Sequence, residues 1–147
     1  MLDLNGNCKL SSFFRVEYIT QERKKIFNLK DIEYNAQEIY GFGKFRYENK
    51  NSYSIDHWSL GIVMYKCLTG KFPFLYAESI VNDEIPNLNE LDISNEAKQI
   101  ISGLLNKNRD ERLNLSQIKV HEFFKDIDWL KLEKGQIEPP FKPTVVN

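Results

Sequence analysis

The sequence predicts a mainly α-helical fold that opens with a short β-hairpin and closes with an extended tail. The helices are predicted from two apolar segments, Ser54 to Gly70 and the stretch that follows Ser94. The dipeptide Asn5-Gly6 lies between apolar residues and tolerates positive φ, so it predicts a two-residue turn between short strands within residues 1–13. Proline fixes φ and lacks an amide donor, and the extended tail is predicted from Pro139, Pro140 and Pro143.

The first predicted helix, Ser54 to Gly70, is apolar on nearly every side. Ser54 is a suitable N-cap residue and Gly70 a suitable terminator. A helix that is apolar all round is expected inside a protein, so we expect this helix to be fully buried at the centre of the fold.

The second predicted helix has a single apolar face, and Glu96 lies near its N-terminus, where the helix dipole favours a negative charge. The apolar residues follow the i, i+3, i+4, i+7, i+8 spacing and are Ala97, Ile100, Ile101, Leu104 and Leu105. Downstream, Asn114 and Gln117 form a capping-box pattern that predicts a short helix through His121. By contrast, residues 15–33 are polar and charged without a sustained period, which predicts a long loop.

Composition restricts the class of protein. The chain has 147 residues, of which 41% are hydrophobic and 13% aromatic, enough for one domain or part of one. Lys and Arg number 20 against 21 Asp and Glu, so the overall charge gives no case for binding nucleic acid. No segment reaches the roughly 18 apolar residues needed to span a bilayer. Cys8 and Cys67 are expected to be buried, inert thiols in a reducing compartment, cytoplasmic or nuclear.

Three segments resemble eukaryotic protein kinases. SIDHWSLGIVMYKCLTGKFPF resembles the family's central helix and the loop after it, NRDERL resembles its D-P-x-x-R-L pattern, and HEFFKDIDWLKLEKGQIEPPFKP resembles the end of the catalytic domain in the AGC group of serine/threonine kinases. The matches in the first segment are Asp56, Trp58, Ser59, Gly61, Tyr65, Gly70, Pro73 and Phe74.

This resemblance implies the large, C-terminal lobe of a kinase. Residues 1–134 would form part of the kinase domain, with an activation-segment-like loop at 15–38 and a helical lobe at 39–134, and residues 135–147 would begin an AGC-like tail. The family's glycine-rich loop, ATP-positioning lysine and His-Arg-Asp loop have no counterpart in the sequence. Members of the family use ATP and Mg²⁺, but we expect no cofactor and no metal for this chain.

The family's metal-binding Asp-Phe-Gly motif falls on Ser12, Phe13 and Phe14. Mg²⁺ prefers anionic oxygen ligands, and the Ser12 hydroxyl is a far weaker ligand than a carboxylate. Phe14 also lacks the backbone freedom of the glycine. The resemblance therefore implies a degenerate metal motif, as in pseudokinases.

The activation-like segment also lacks residues that the family uses for activity. Ala36, Gln37 and Glu38 correspond to the family's Ala-Pro-Glu. The threonine that AGC kinases phosphorylate then falls on Phe27, which has no hydroxyl. The threonine that contacts the catalytic aspartate falls on Asp31, where like charges would oppose an active arrangement.

Structural positions of the family are retained, among them Trp58 and Gly61. Glu38 and Arg112 match a buried carboxylate–guanidinium pair, so we expect the two side chains to be in direct contact. Asp56 matches an aspartate that binds the catalytic-loop backbone, for which this sequence has no counterpart. We therefore expect either a solvated helix start or a buried Asp56 carboxylate with a raised pKa.

Three functions follow from these residues. The leading hypothesis is a catalytically inactive, AGC-like kinase domain that binds an unidentified protein partner or regulates it. The enzyme alternative is part of a longer ATP-dependent serine/threonine kinase that phosphorylates proteins. A third interpretation is a helical interaction module unrelated to kinases.

Overall fold

A computed structural model describes residues 3–11, 32–40 and 53–144. These residues form two compact units, one from the described parts of 1–23 and 126–147 and the other from those of 24–125. The predicted boundary between residues 134 and 135 stays a prediction.

The described residues are mainly helical, as predicted, and contain no run of strand residues. The two short strands predicted within residues 1–13 are therefore absent from residues 3–11, which form a turn and one isolated bridge at Cys8. The α-helices are α1 (Tyr53–Thr69), α2 (Ala77–Asn82), α3 (Asn95–Leu104), α4 (Leu115–Lys119) and α5 (Trp129–Glu133). Short 3₁₀ turns occur at Ile32–Tyr34, Gln37–Ile39, Leu88–Glu90 and Glu122–Phe124. The first of these lies at the end of the predicted loop over residues 15–33, whose other residues lie outside the described part.

Helix α1 is the centre of the larger unit, but only one of its faces is buried. Trp58, Gly61, Ile62 and Tyr65 are buried, whereas the opposite face is exposed to solvent. The expectation of a fully buried helix is therefore wrong. A helix that is apolar on every side becomes buried only where other elements cover it, and α3 packs along one side. The N-cap prediction is also wrong, because Ser54 lies in the first turn of a helix that begins at Tyr53.

Both cysteines contradict the expectation of buried thiols, since Cys8 and Cys67 are exposed. Cys67 lies on the exposed face of α1. The apolar neighbours of Cys67 suggested burial, but those neighbours belong to both faces of the helix.

Helix α3 confirms its predicted position and apolar face. The Ser94 hydroxyl accepts a hydrogen bond from the Ala97 amide at 3.1 Å, and the predicted apolar residues are buried. A methyl group added to the α-carbon of Gly61 would come within 2.8 Å of Leu105 Cδ2 and 2.9 Å of Leu104 Cβ. Gly61 thus allows α1 and the end of α3 to approach closely.

Helix α4 confirms the predicted capping box. The Gln117 amide donates to Asn114 Oδ1 at 3.1 Å, and the Asn114 amide donates to Gln117 Oε1 at 2.9 Å. The helix ends at Lys119, two residues before the predicted end at His121. His121 instead caps the next 3₁₀ turn, where its Nδ1 accepts a hydrogen bond from the Phe123 amide at 3.2 Å.

In the smaller unit, the turn at Asn5-Gly6 is one residue longer than predicted. The Asp3 amide donates to the Asn7 carbonyl at 2.9 Å, and the Gly6 amide donates to the Asp3 carbonyl at 3.0 Å. Gly6 has a φ of +87°. These features describe a three-residue hairpin loop with a left-handed glycine. The Asp3 carboxylate selects this loop by accepting hydrogen bonds from the Asn5 and Asn7 amides.

The same unit contains α5, which the sequence did not predict. Asp128 caps it by accepting a hydrogen bond from the Lys131 amide at 3.0 Å. After Gly135, residues 136–144 contain no helix and no strand, in agreement with the predicted extended tail. Within the described ranges, no helix has the length and apolar character needed to cross a bilayer.

Candidate functional site

The candidate site lies where the segment 36–38 meets α1 and the loop after α3. It contains the predicted residues Ala36, Gln37, Glu38, Trp58 and Arg112, all of which are buried. Two other predicted site residues, Asp56 and Gly61, lie on α1. The remaining five, Ser12, Phe13, Phe14, Phe27 and Asp31, lie outside the described part of the chain.

The predicted contact between Glu38 and Arg112 is confirmed. Arg112 Nη1 donates to Glu38 Oε1 at 2.6 Å, and Nη2 donates to Oε2 at 3.2 Å. The Arg112 side chain is fully buried and that of Glu38 is 7% exposed. The two planar groups therefore form a bidentate, charge-assisted pair that is shielded from solvent.

Two further N–H donors of Arg112 bind backbone carbonyls. Nη1 also donates to the Ser54 carbonyl at 2.7 Å, and Nε donates to the Asn106 carbonyl at 3.0 Å. Cζ lies 5.1 Å from the centroid of the Trp58 ring, within the range of a cation–π contact. One side chain thus joins segment 36–38, the start of α1 and the loop after α3.

The loop after α3 holds Arg112 in place through its own hydrogen bonds. The Asn108 amide donates to Asn106 Oδ1 at 2.8 Å, and Asn108 Nδ2 donates to Glu111 Oε1 at 2.8 Å. The Leu113 amide donates to the Gly103 carbonyl at 3.0 Å, which returns the loop to α3. Asparagine favours such local turns because its side chain binds nearby amides.

Gln37 makes a second connection that sequence reasoning missed. Its Nε2 donates to the Lys107 carbonyl at 2.7 Å. Lys107 Nζ in turn donates to the carbonyls of Ile80 and Asp83 at 2.5 Å each, and it lies 5.2 Å from the centroid of the Phe74 ring. Burial lowers the pKa of Lys107, against the opposing effect of the nearby carboxylates. The only sign of this connection in the sequence was Gln37 itself, which stands where the family has proline.

Trp58 fills the space beneath this ion pair. Its ring stacks on Phe74 with a centroid distance of 5.8 Å and an interplanar angle of 13°. The ring is completely buried, and its Nε1 has no hydrogen-bond partner among the described residues. Trp58 therefore contributes packing and a face for the guanidinium rather than a hydrogen bond.

A further contact joins the turn at Ile32–Tyr34 to α1. Ser59 Oγ donates to the Tyr34 carbonyl at 2.9 Å, and Tyr40 Oη donates to the Ile32 carbonyl at 3.0 Å. Lys66 Nζ lies 3.9 Å from the centroid of the Phe72 ring. The Ser59 hydroxyl thus attaches Tyr34 of the activation-like segment to α1.

Asp56 lies apart from the ion pair and is exposed at the start of α1, which agrees with the first of the two expected outcomes. Its neighbour His57 is half-buried, and burial lowers the pKa of this imidazole although Asp56 acts in the opposite direction. In residues 3–11, 32–40 and 53–144, no three His, Cys, Asp or Glu side chains are grouped closely enough to hold a metal ion. The assembled site holds segment 36–38, α1 and the loop after α3 together.

Comparisons with known proteins give the same assignment as the fold and the ion pair. The family model described as "Protein kinase domain" matches residues 1–124. Protein kinase C of Drosophila melanogaster is 34% identical over 159 residues, which cover 100% of this chain and 20% of that protein. Serine/threonine-protein kinase AtPK2/AtPK19 of Arabidopsis thaliana is 35% identical over 156 residues, which cover 99% of this chain and 31% of that protein.

A solved structure is similar in fold. The structure titled "Crystal structure of Rad53 kinase domain and SCD2" matches with a TM-score of 0.54 and 25% sequence identity, and the match covers 67% of this chain and 37% of that chain.

The helical lobe and its buried Glu38–Arg112 pair define part of the large lobe of a protein kinase domain. The chain belongs to the protein kinase family, and its relatives are AGC-type serine/threonine kinases. It spans about a fifth to a third of the length of the two relatives described above. The interpretation as a helical module unrelated to kinases is wrong.

Proposed function

We propose that this chain is a catalytically inactive, AGC-type kinase domain polypeptide that acts by binding another protein. The observation that carries the proposal is Ser12, which stands where the family's motif has its metal-binding aspartate. An alcohol is a weak ligand for Mg²⁺, and phosphoryl transfer depends on metal ions that neutralise the developing charge.

Other substitutions support the same conclusion. Phe14 replaces the glycine of the metal motif, and Phe27 replaces the threonine that is phosphorylated in the AGC group. Asp31 places a negative charge where the family has a threonine against the catalytic aspartate. Each change affects the chemistry or its activation rather than the packing of the helical lobe.

The helical lobe, in contrast, keeps the buried Glu38–Arg112 ion pair of the family. The Glu38–Arg112 pair is buried and joined by two hydrogen bonds, and breaking such a pair costs about 3–5 kcal/mol. A polypeptide that keeps this pair and lacks the metal carboxylate is suited to present a folded surface to a partner.

Binding of nucleotide tests the proposal directly. Isothermal titration of the full chain with Mg-ATP should give no metal-dependent binding, and a radiometric assay with protein substrates should give no phosphate transfer. A Ser12→Asp/Phe14→Gly variant restores the family residues at the metal motif, and Mg²⁺-dependent ATP binding gained by this variant alone would assign the loss of binding to that motif. Mg²⁺-dependent ATP binding by the unaltered chain would contradict the proposal.

The second candidate function is that of an active kinase whose catalytic loop lies in polypeptide outside this sequence. The observation that favours it is the 34–35% identity with proteins named as kinases across essentially the whole chain. The coding sequence upstream of Met1 discriminates between the two. If it encodes a His-Arg-Asp loop, the extended protein should be assayed, and phosphate transfer by that protein would support the enzyme.

A further inference from the structure

The proposed function assigns no role to a groove between α3 and the loop before it, which we call the α3 groove. It has a volume of about 580 Å³ and is open to solvent. Ligand sites typically have volumes of about 300–1,000 Å³. The described side chains that line the groove all belong to residues 85–103, so one short stretch of the larger unit forms both of its walls.

The loop wall of the α3 groove is mainly apolar. Ile85, Pro86 and Leu88 line it and are half-buried, so part of each residue still contacts solvent. Asn87 caps the 3₁₀ turn Leu88–Glu90 by accepting a hydrogen bond from a backbone amide at 3.1 Å, which fixes the shape of this wall. The loop wall therefore offers a preformed apolar surface to an aliphatic side chain.

The helix wall is polar, and Lys98 is the single charged residue among the described residues that line the groove. Lys98 and Ser102 lie four positions apart, so they share one side of α3, with Gln99 next to them. Lys98 is half-buried, and its side chain makes no hydrogen bond or ion pair with the part of the chain that the structure describes. A positive charge that has lost part of its hydration and has no counter-charge favours a negative ligand beside it.

Negative charges next to the groove restrict the ligand further. Glu84 precedes the residues of the loop wall and Glu90 follows them, and both are exposed. These carboxylates would repel a second negative group near the loop, whereas Lys98 attracts one at the helix wall. The α3 groove therefore suits a ligand that has one carboxylate and is otherwise neutral or basic.

The open shape of the groove favours a peptide over a small molecule. A small-molecule site buries about 70–90% of the surface of its ligand, and a groove that is open to solvent does not enclose a ligand to that extent. A peptide extends beyond the groove and contacts the protein on either side of it. The ligand is thus expected to be a segment of a protein.

We propose that the α3 groove binds a short peptide segment of another protein, in which one Asp or Glu carboxylate pairs with Lys98 and a neighbouring aliphatic side chain packs against the loop wall. This inference rests on the proposed function, since it names a surface and a partner chemistry for the binding of a protein. Gln99 and Ser102 donate hydrogen bonds to the same carboxylate or to the peptide backbone.

A set of designed peptides tests the groove without knowledge of the natural partner. The probes are acetylated and amidated peptides of about seven residues, built from glycine and serine with one leucine and one glutamate at different spacings and in either order. Titration into the full ¹⁵N-labelled chain should shift the amide signals of residues 85–89 and 98–103 saturably for at least one spacing. Lys98→Glu should weaken the binding of that peptide at least about tenfold, because it replaces attraction by repulsion at the carboxylate.

Three controls make the result specific. Lys71→Glu makes the same change of charge at an exposed lysine of the larger unit outside the groove, and it should leave the affinity unchanged. A peptide with lysine in place of glutamate should bind Lys98→Glu more tightly than the unaltered chain. A peptide with serine in place of leucine should bind the unaltered chain several-fold more weakly. Circular dichroism checks that both variants keep the same helical content.

Equal affinity of Lys98→Glu and the unaltered chain for the peptide would overturn the inference, as would the absence of shifts in the groove with every peptide. Sodium isocaproate carries a carboxylate on a leucine-like chain. If it bound as tightly as the peptide, the assignment to a protein partner would be overturned in favour of a small carboxylate. The nucleotide and phosphate-transfer assays do not involve this groove, so the two proposals fail separately.

Discussion

Replacing Arg112 with methionine tests the role of the buried ion pair. The variant keeps a long apolar side chain but removes all the guanidinium donors, so the Glu38 carboxylate stays buried without its counter-charge. The carbonyls of Ser54 and Asn106 lose a hydrogen bond at the same time. We therefore expect a large loss of stability from a single substitution.

The magnitude follows from the burial of the pair. Removing one partner of a buried ion pair costs about 3–5 kcal/mol, and the two lost carbonyl contacts place Arg112→Met at the upper end of that range. The free energy of unfolding of a domain is typically about 5–15 kcal/mol, so this variant should retain only a small part of its stability. Arg112→Lys keeps a positive charge but cannot form the bidentate pair. It should lose about half as much free energy of unfolding as Arg112→Met.

Urea unfolding followed by far-UV circular dichroism measures these losses. The double variant Glu38→Gln/Arg112→Met removes both charges and should be more stable than Arg112→Met alone, because no unpaired carboxylate is left. A loss below about 1 kcal/mol for Arg112→Met, or a double variant that loses the sum of both single changes, would refute the reasoning.

Three further predictions concern packing, capping and pH. Gly61→Ala should cost about 1–3 kcal/mol in urea unfolding, since its methyl group would come within 3 Å of two leucines of α3 and its C-cap. Asn114→Ala should cost about 1 kcal/mol by removing the α4 cap, while Ser116→Ala in the same helix, an exposed position, serves as its control. The pKa of His57 is lowered from 6.5 by burial, so the unfolded chain binds a proton more readily and stability should fall as the pH drops below about 6.5. His57→Gln should show a smaller drop in thermal midpoint between about pH 7.5 and 5.5, and equal drops would contradict this assignment.

Local signals predicted some elements well. The Ser94 cap, the apolar face of α3 and the Asn114–Gln117 capping box depend on residues a few positions apart, so the sequence contains the whole interaction. The contact between Glu38 and Arg112 joins residues 74 positions apart, and no periodicity indicates it. It was predictable only because both residues match the pattern of a known family.

Features that depend on neighbouring elements were not predictable in the same way. The pattern of α1 is apolar on all sides, so it gives no information on which side α3 covers. The turn at Asn5-Gly6 is compatible with two loop lengths, and the Asp3 side chain decides between them. Lys107 was missed because a lysine that binds two carbonyls above an aromatic ring resembles a surface lysine in sequence.

The position of Trp58 gives this protein a built-in optical probe. The chain has two tryptophans, and they lie in different units, with Trp58 completely buried against Phe74 and Trp129 half-exposed. Indole in an apolar environment emits at shorter wavelength than indole in contact with water, and a soluble quencher reaches only the latter. Emission at the blue edge of the spectrum should therefore come from Trp58 and report whether the larger unit is folded. Quenchable emission at the red edge should come from Trp129 and report on the smaller unit.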